Sequence, residues 1–189
     1  MKLMPTASQT VGPYFIIGME YLCSKPAPEP SADADTITVY GRLLDGEGAP
    51  VPDAMLELWQ PEPSVPNATV EYDAANSARL SPLRFARVAT DEQGAFSFVI
   101  HKPVPVPFDE QRMQAPHLAV LVFMRGLLRN LITRMYLPDE PAIAADPVLE
   151  LVPQERRHTL IARHNPQSPG RLEWNIMLQG EDETVFFAW

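Results

Sequence analysis

Apolar and polar residues alternate along several short runs of the chain. In residues 36–44, Ile37, Val39 and Leu43 alternate with Thr and other polar neighbours, the period-2 pattern of a strand with one buried face. Similar runs recur along the chain, and residues typical of turns separate them. Further strands are therefore predicted at 55–60, 85–89, 96–100, 117–124, 131–137 and 172–178.

The alternation also predicts which side chains point inward. Leu56 and Leu58 are expected on one face of their strand, with Glu57 and Trp59 on the other. The segments 85–89 and 96–100 flank an Asp-Glu-Gln-Gly turn and predict a β-hairpin. The inward-facing residues of its second strand are Phe96, Phe98 and Ile100.

Prolines limit the other elements that the chain can form. There are 21 prolines among 189 residues, and proline disrupts helix interiors and the middle of sheets. We therefore predict an all-β fold, a β-sandwich in which Pro-rich loops join short strands. Residues 60–82 are expected to form a long loop, and 146–164 are expected to form one short helix.

The first 35 residues differ in pattern from the rest. They lack strand alternation, and 25–34 are rich in Pro, Ala and acidic residues, as linkers often are. We predict an N-terminal arm and linker at 1–35 and the β-sandwich domain at 36–189. The apolar run 14–17 in this arm suggests burial against a partner.

The charge and the cysteine content limit the classes of partner and the cellular compartment that fit this chain. A net charge of −9 and an isoelectric point near 4.9 would repel nucleic acid. The single cysteine cannot form an internal disulfide, which suits a reducing compartment. No apolar run approaches the roughly 20 residues that span a bilayer. We expect a cytoplasmic protein that binds neither nucleic acid nor membrane.

Local motifs do not reveal a catalytic centre. The chain lacks Gly-x-Ser-x-Gly, a phosphate-binding glycine loop and a cysteine pair. None of its four histidines has a second ligand at the usual metal-site spacing. His117 begins a predicted strand, and its neighbour on the same face is Ala119, whose methyl group cannot bind metal. From the residues alone, a structural His117 is favoured.

Several segments together resemble the intradiol ring-cleaving dioxygenases. They are Ser-Gln-Thr-Val-Gly-Pro-Tyr at 8–14, Leu-Glu-Leu-Trp-Gln at 56–60, the run 90–98, the strand that begins at His117, and the run 131–137. The resemblance implies a β-sandwich core. It also implies a non-haem Fe(III) site with two Tyr and two His ligands, a set of hard oxygen and nitrogen donors.

The resemblance also implies that this chain has lost half of that site. Tyr72 and His117 stand at two ligand positions, whereas Val106 stands at the second Tyr and Ala119 at the second His. Gln114 stands at the position of an active-site Arg. Tight iron binding is therefore not expected in this chain. The implied cofactor is Fe(III) bound by a paired β subunit.

The implied role of the chain is to complete the partner's pocket. Thr10, Gly12 and Tyr14 of the arm, with Arg125 nearby, are expected to line a pocket for an aromatic substrate that carries a carboxylate. The substrate would react with O2 at the partner's iron. The alternatives to these pocket roles are an ordinary surface ion pair for Arg125 and an interface contact for Tyr14.

Two other functions compete with this one. The chain could be a self-sufficient intradiol dioxygenase with altered ligands, although Val106 and Ala119 argue against it. It could instead be a non-enzymatic, transthyretin-like binding or scaffold module that shares only the sandwich. The arm at 8–14 together with the strand at 114–119 favours the dioxygenase subunit.

Overall fold

Short strands account for most of the regular structure. The computed structural model describes residues 4, 6–12, 14–23, 36–60, 85–167 and 170–188. In chain order, the strands within these ranges are β1 (Thr36–Leu44), β2 (Met55–Trp59), β3 (Phe85–Ala89), β4 (Ala95–His101), β5 (Val106–Pro107), β6 (Met113–Gln114), β7 (His117–Phe123), β8 (Leu131–Tyr136), β9 (Arg163–His164), β10 (Arg171–Glu173) and β11 (Ile176–Met177).

The strands form two main sheets. In the first, β1 pairs antiparallel with β4 on one side and parallel with β10 and β11 on the other, and β9 joins β10. The second is antiparallel throughout, in the order β3-β2-β7-β8. A small ladder joins β5 to β6. The all-β sandwich predicted from the sequence is confirmed.

The main core lies between the two sheets. Val39, Phe98 and Ile100 of the first sheet belong to the same buried cluster as Leu58 and Val120 of the second. Full burial of each such side chain contributes about 1.5–3 kcal/mol. The predicted inward faces of β2 and β4 are confirmed, because Leu56, Leu58, Phe96, Phe98 and Ile100 are all buried. The opposite face of the second sheet points away from this core.

The strand predicted at 172–178 is divided into β10 and β11. Both pair with β1 in one register, but between them the Asn175 side chain, through Oδ1, accepts the Arg42 N–H at 2.8 Å. Gly41 faces this break, and a Cβ there would lie 1.8 Å from the carbonyl oxygen of Trp174. The close approach therefore requires glycine at position 41.

The single helix expected at 146–164 is wrong. The segment instead forms two 3₁₀ helices, Leu149–Leu151 and Gln154–Leu160, and a third, Pro141–Ala145, precedes them. Pro153 stands between the two, where it cannot donate the N–H that a continuous helix needs. The segment covers a second buried cluster, made of Ala115, Tyr136, Leu149, Val152 and Leu160.

The described part of the arm contains a helix that was not predicted. Helix α1 (Tyr14–Met19) is followed by a 3₁₀ turn, Glu20–Leu22. The ring of Phe15 lies 5.9 Å from that of Phe123 in β7, so the arm contacts its own sandwich. Residues 24–35 lie outside the described ranges, and the domain boundary at 35/36 stays a prediction. No described helix has the length and apolar character needed to cross a membrane.

Candidate functional site

Two of the four predicted ligand positions, those of His117 and Ala119, lie on the outward face of the second sheet. His117 begins β7, as predicted, and is directly opposite Tyr136 of β8, while Ala119 is opposite Arg134. Directly opposed residues of antiparallel strands point to the same side. The four side chains therefore form one block on the face that turns away from the main core.

His117 is held as a neutral imidazole. The ring is 3% exposed, and its Nδ1 lies 2.8 Å from the carbonyl oxygen of Ala115. A carbonyl only accepts, so Nδ1 carries the proton and Nε2 keeps its lone pair. Burial, and after it the nearby charge of Arg134, lowers the pKa of His117 to about 4. This is the tautomer that a metal-binding histidine uses.

Val106 and Gln114 face each other in the small ladder. They are paired residues of β5 and β6, and Val106 is buried. The Gln114 amide donates from Nε2 to the carbonyl of Pro107 at 3.1 Å, and its Oε1 accepts from Nη1 of Arg134 at 2.8 Å. Gln114 thus binds a guanidinium at the position where the resemblance implies an arginine.

A buried carboxylate anchors the far side of this block. Asp146 is fully buried and accepts backbone N–H groups from Ala115, Val148 and Leu149 at 2.7–2.9 Å. It also accepts the hydroxyl of Tyr136 at 3.1 Å, and that same hydroxyl accepts from Arg134 at 3.3 Å. Burial raises the pKa of Tyr136, so the phenol stays protonated and donates.

The described residues do not fit a four-ligand ferric site. Val106 and Ala119 carry no donor atom, and His117 offers one nitrogen. Tyr72, the other position expected to keep its ligand, lies outside the described residues. Within the described ranges, no three His, Cys, Asp or Glu side chains lie close enough together to hold a metal ion.

The structure places one predicted pocket residue, Thr10, against the chain neighbour of another, Arg125. The N–H of Gly126 donates to Oγ1 of Thr10 at 2.7 Å, which attaches the arm beside Arg125. The guanidinium of Arg125 forms an ion pair with Asp53 at 2.9 Å, and both side chains are about half exposed. Their assignment to a partner's pocket stays a prediction, as it does for Gly12 and Tyr14.

Large apolar side chains of the arm are exposed on the isolated chain. Tyr14 and Tyr21 are each 81% exposed, and Ile17 and Leu22 are exposed as well. A Cβ at Gly12 would meet nothing within 4 Å. Exposed apolar groups close together are typical of an interaction surface.

A separate cleft lies beside β1 and β4 of the first sheet and β3 of the second. Its volume is about 700 Å³, and Tyr40, Arg42, Glu173 and Asn175 are among the residues that line it. Of the predicted ligand and pocket residues that the structure describes, none lines this cleft. It is therefore distinct from the block around His117.

Sequence reasoning missed Arg134 and Asp146. Arg134 lies within the run 131–137 that carried part of the resemblance, and its alternation with Tyr136 puts both on one face. Assigning Arg134 to the site also requires the register between β7 and β8, which the sequence pattern does not give. Asp146 lies in a segment with no strand pattern at all.

The sandwich, with His117 and Ala119 on the outward face of its second sheet, is the arrangement expected of the intradiol ring-cleavage dioxygenase class. A family model described as Dioxygenase matches residues 12–180, and the chain belongs to this family. It is 41% identical over 200 aligned residues to the protocatechuate 3,4-dioxygenase alpha chain of Burkholderia cepacia, with 98% of each chain covered.

Other relatives extend the comparison. The protocatechuate 3,4-dioxygenase alpha chain of Pseudomonas putida is 35% identical, with 99% of this chain and 98% of that chain covered. The protocatechuate 3,4-dioxygenase beta chain of Burkholderia cepacia is 30% identical over 79% of this chain and 67% of its own length. The chain therefore resembles both kinds of subunit, and the resemblance to the alpha chains extends over almost the whole chain.

Solved structures have the same fold. Hydroxyquinol 1,2-dioxygenase from Pseudomonas putida DLL-E4 superposes with a TM-score of 0.58 at 19% identity, covering 82% of this chain and 60% of that one. A dioxygenase domain from Streptomyces sp. SirexAA-E gives a TM-score of 0.54 at 21% identity, covering 84% and 93%. At these identities the comparison establishes the fold alone.

Proposed function

We propose that the chain is the α subunit of a protocatechuate 3,4-dioxygenase and acts with an iron-bearing β subunit. The observation that carries this proposal is the 41% identity to an alpha chain along 98% of the sequence. The missing donors at Val106 and Ala119 point the same way, because a chain with this remnant needs a partner to supply the Fe(III) site.

The proposed reaction is the O2-dependent cleavage of protocatechuate between its two hydroxyl carbons, which gives 3-carboxy-cis,cis-muconate. This reaction belongs to aromatic compound degradation through the β-ketoadipate pathway. Fe(III) on the β subunit would supply the positive charge that stabilises the bound catecholate. No protein group of the α chain is proposed to take part in the chemical step.

The α chain contributes to substrate binding. Arg125 is proposed to attract the carboxylate of protocatechuate, since a guanidinium offers a fixed pair of donors to a carboxylate. Thr10, Gly12 and Tyr14 would line the same entrance from the arm. The contact between Thr10 and Gly126 supports this arrangement because it holds the arm beside Arg125.

The exposed residues of the arm are proposed to be covered by the β subunit. Tyr14, Ile17 and Tyr21 would otherwise present a large apolar surface to water. Tyrosine is enriched at protein interfaces. We propose a hetero-oligomer of αβ protomers that works in the cytoplasm, where a chain with one cysteine needs no oxidising compartment.

Co-expression tests the proposal. The chain is produced with a dioxygenase β chain from the same source, and each chain is also produced alone. Co-purification, iron content and protocatechuate cleavage are then measured. Iron and activity that appear fully only in a stable αβ complex support the α-subunit function.

Two other outcomes would contradict the proposal. Stoichiometric iron and activity in the lone chain would establish a self-sufficient dioxygenase. The second outcome is a soluble chain that does not bind the β chain, together with a β chain that is fully active alone. This result would favour a separate binding module.

A further inference from the structure

The arm helix carries apolar side chains on two opposite sides. Tyr14, Ile17 and Tyr21 are spaced i, i+3 and i+7, which puts them on one side of the helical segment, and all three are exposed. Phe15 and Met19, spaced i and i+4, lie on the other side and are partly buried. A helix that packs only on its own chain needs one apolar stripe. The exposed stripe therefore indicates a second surface for contact.

The partly buried stripe packs on the second sheet. The ring of Phe15 lies 5.9 Å from that of Phe123, the last residue of β7. Just beyond that strand, the N–H of Gly126 donates to Oγ1 of Thr10 at 2.7 Å. The arm is thus attached to its own sandwich on both sides of the point where α1 begins.

A buried methionine marks the path of the arm across the sheet. Met55 of β2 lies between Phe123 of β7 and Ala89 of β3 and points away from the main core. It is nevertheless 1% exposed and belongs to neither buried cluster of the described residues. Burial raises the pKa of the Cys23 thiol, and the charge of Arg87 in β3 opposes that rise, so the end of the arm lies near β3. The arm therefore runs along this row and covers Met55.

The helix depends on this packing. α1 has only six residues, and one of them is Gly18, which has a low helix propensity. Isolated helices shorter than about 12–15 residues are marginal in water. Contact with the sandwich therefore holds this segment in the helical conformation.

We propose that the sandwich preorganises the arm as a docking element for the β chain, with Phe15 and Phe123 as the positioning residues. Their contact fixes the orientation of α1, so that Tyr14, Ile17 and Tyr21 form a ridge that inserts into an apolar groove of the β chain. Anchors at this spacing are typical of a helix that binds in a groove. A partner that meets a formed helix does not lose binding free energy to ordering it.

The β chain is the occupant that the comparisons favour. The chain is 41% identical to an alpha chain and 30% identical to a beta chain of protocatechuate 3,4-dioxygenase. The inference rests on the proposed α-subunit function, in which the β chain covers the arm. It adds that the arm is already formed on its own sandwich before the β chain binds.

The single cysteine of the chain reports whether the arm is docked. Cys23 is the only thiol and is partly buried at the end of the arm. Its rate of reaction with an aromatic disulfide reagent is measured on the lone full-length chain, and amide hydrogen exchange of residues 14–23 is followed alongside. Phe123→Ala should speed the thiol reaction at least about ten-fold and remove the protection of the arm, because local opening controls both. Phe15→Ala removes the same contact from the arm side, and leaves the sheet intact if Phe123→Ala unfolds.

The affinity for the β chain tests the second half of the inference. Phe15→Ala and Phe123→Ala should each raise Kd at least about ten-fold, because the partner then has to order the arm. The double variant should bind no more weakly than the weaker single variant, since both substitutions remove one contact. Phe123→Leu keeps an apolar side chain and should recover most of the affinity.

Phe186→Ala is the control for general destabilisation. Phe186 is a partly buried phenylalanine that packs against the main core and not against the arm. The substitution should lower the melting temperature but leave the thiol rate and Kd unchanged.

Two results would overturn the inference. One is a wild-type thiol that reacts as fast as that of the folded Phe15→Ala chain. The other is an unchanged Kd in a variant whose arm has been loosened. The thiol rate is measured without the β chain, so these failures are distinct from failure of the proposed function, which would appear as a wild-type chain that does not bind the β chain at all.

Discussion

Arg125 is paired with Asp53 across two loops that are far apart in the sequence. Their side chains meet at 2.9 Å, and both are about half exposed. Asp53 has a backbone φ of 60°, a conformation that Asp and Asn tolerate better than most residues. An exposed pair of this kind contributes little to stability, so Arg125 remains available to an incoming anion.

The first prediction concerns Arg125. In the αβ enzyme, Arg125→Gln should raise KM for protocatechuate about ten-fold or more, because a charge-assisted hydrogen bond is worth about 1.5–3 kcal/mol. kcat should change little, since the carboxylate that Arg125 is proposed to bind lies across the ring from the reacting diol. Steady-state kinetics provide the measurement, and catechol, which lacks the carboxylate, should show no comparable loss.

Asp53→Asn is the control for this variant. Asparagine tolerates the positive φ and removes only the charge, so KM for protocatechuate should not rise. An unchanged KM in Arg125→Gln would indicate that Arg125 forms only a surface ion pair.

The second prediction concerns Gly12. Gly12→Ala should leave the melting temperature of the lone chain unchanged, because the added Cβ would meet nothing within 4 Å. In the αβ enzyme the same methyl group would meet the partner or the substrate, and kcat/KM should fall several-fold. Gly18→Ala, which is equally uncrowded in the lone chain, is the matched control for a methyl group added on the arm outside the predicted pocket, and kcat/KM should fall less than in Gly12→Ala. Equal activity of the two variants would argue against Gly12 in the pocket.

The third prediction concerns the buried carboxylate. Asp146→Ala should lower the free energy of unfolding by about 3 kcal/mol or more, because it leaves three buried N–H groups without their acceptor. Urea denaturation measures the loss. Asp45 also accepts two backbone N–H groups but lies in an exposed turn, so Asp45→Ala should cost much less. Similar losses in the two variants would contradict the role of burial.

The fourth prediction concerns pH. The pKa of His117 is lowered to about 4 in the fold, compared with about 6.5 in the unfolded chain. The unfolded chain therefore takes up the proton first as the pH falls. The contribution of His117 to stability is fully present above pH 6.5 and is lost progressively as the pH falls towards 4.

Between pH 7.5 and pH 5 this linkage amounts to about 2 kcal/mol. His117→Asn should remove that part of the pH dependence of the free energy of unfolding, measured by urea denaturation at the two pH values. His158→Asn alters an exposed histidine and should keep the wild-type slope. A wild-type slope in His117→Asn would place the pH dependence elsewhere.

Most strands could be predicted because alternation is a local signal. β1, β2, β3, β4, β7 and β8 begin and end within a residue of the expected positions. Each has one face in the core, and burial of that face imposes the period of two on its residues. The division of the last strand into β10 and β11 was not predicted. The break depends on Gly41, which is more than 130 residues away in the sequence.

The candidate site could be predicted only in part. The resemblance gave the positions of His117, Ala119, Val106 and Gln114, but it gave no contacts between them. Arg134 reaches the site because of the register between two strands. Asp146 reaches it through a turn that satisfies backbone donors. The spacing of residues along the chain predicts neither of these two placements.

The parallel pairing of β1 with β10 and β11 has a consequence for biosynthesis. Tyr40 is aligned with Glu173, so that edge of β1 has no strand to pair with until residues 171–177 have been made. A ribosome adds about 5–20 residues per second, which leaves an open strand edge for several seconds or more. Nascent chains in that interval are exposed to edge-to-edge aggregation. Soluble yield should therefore depend on chaperone supply and translation rate.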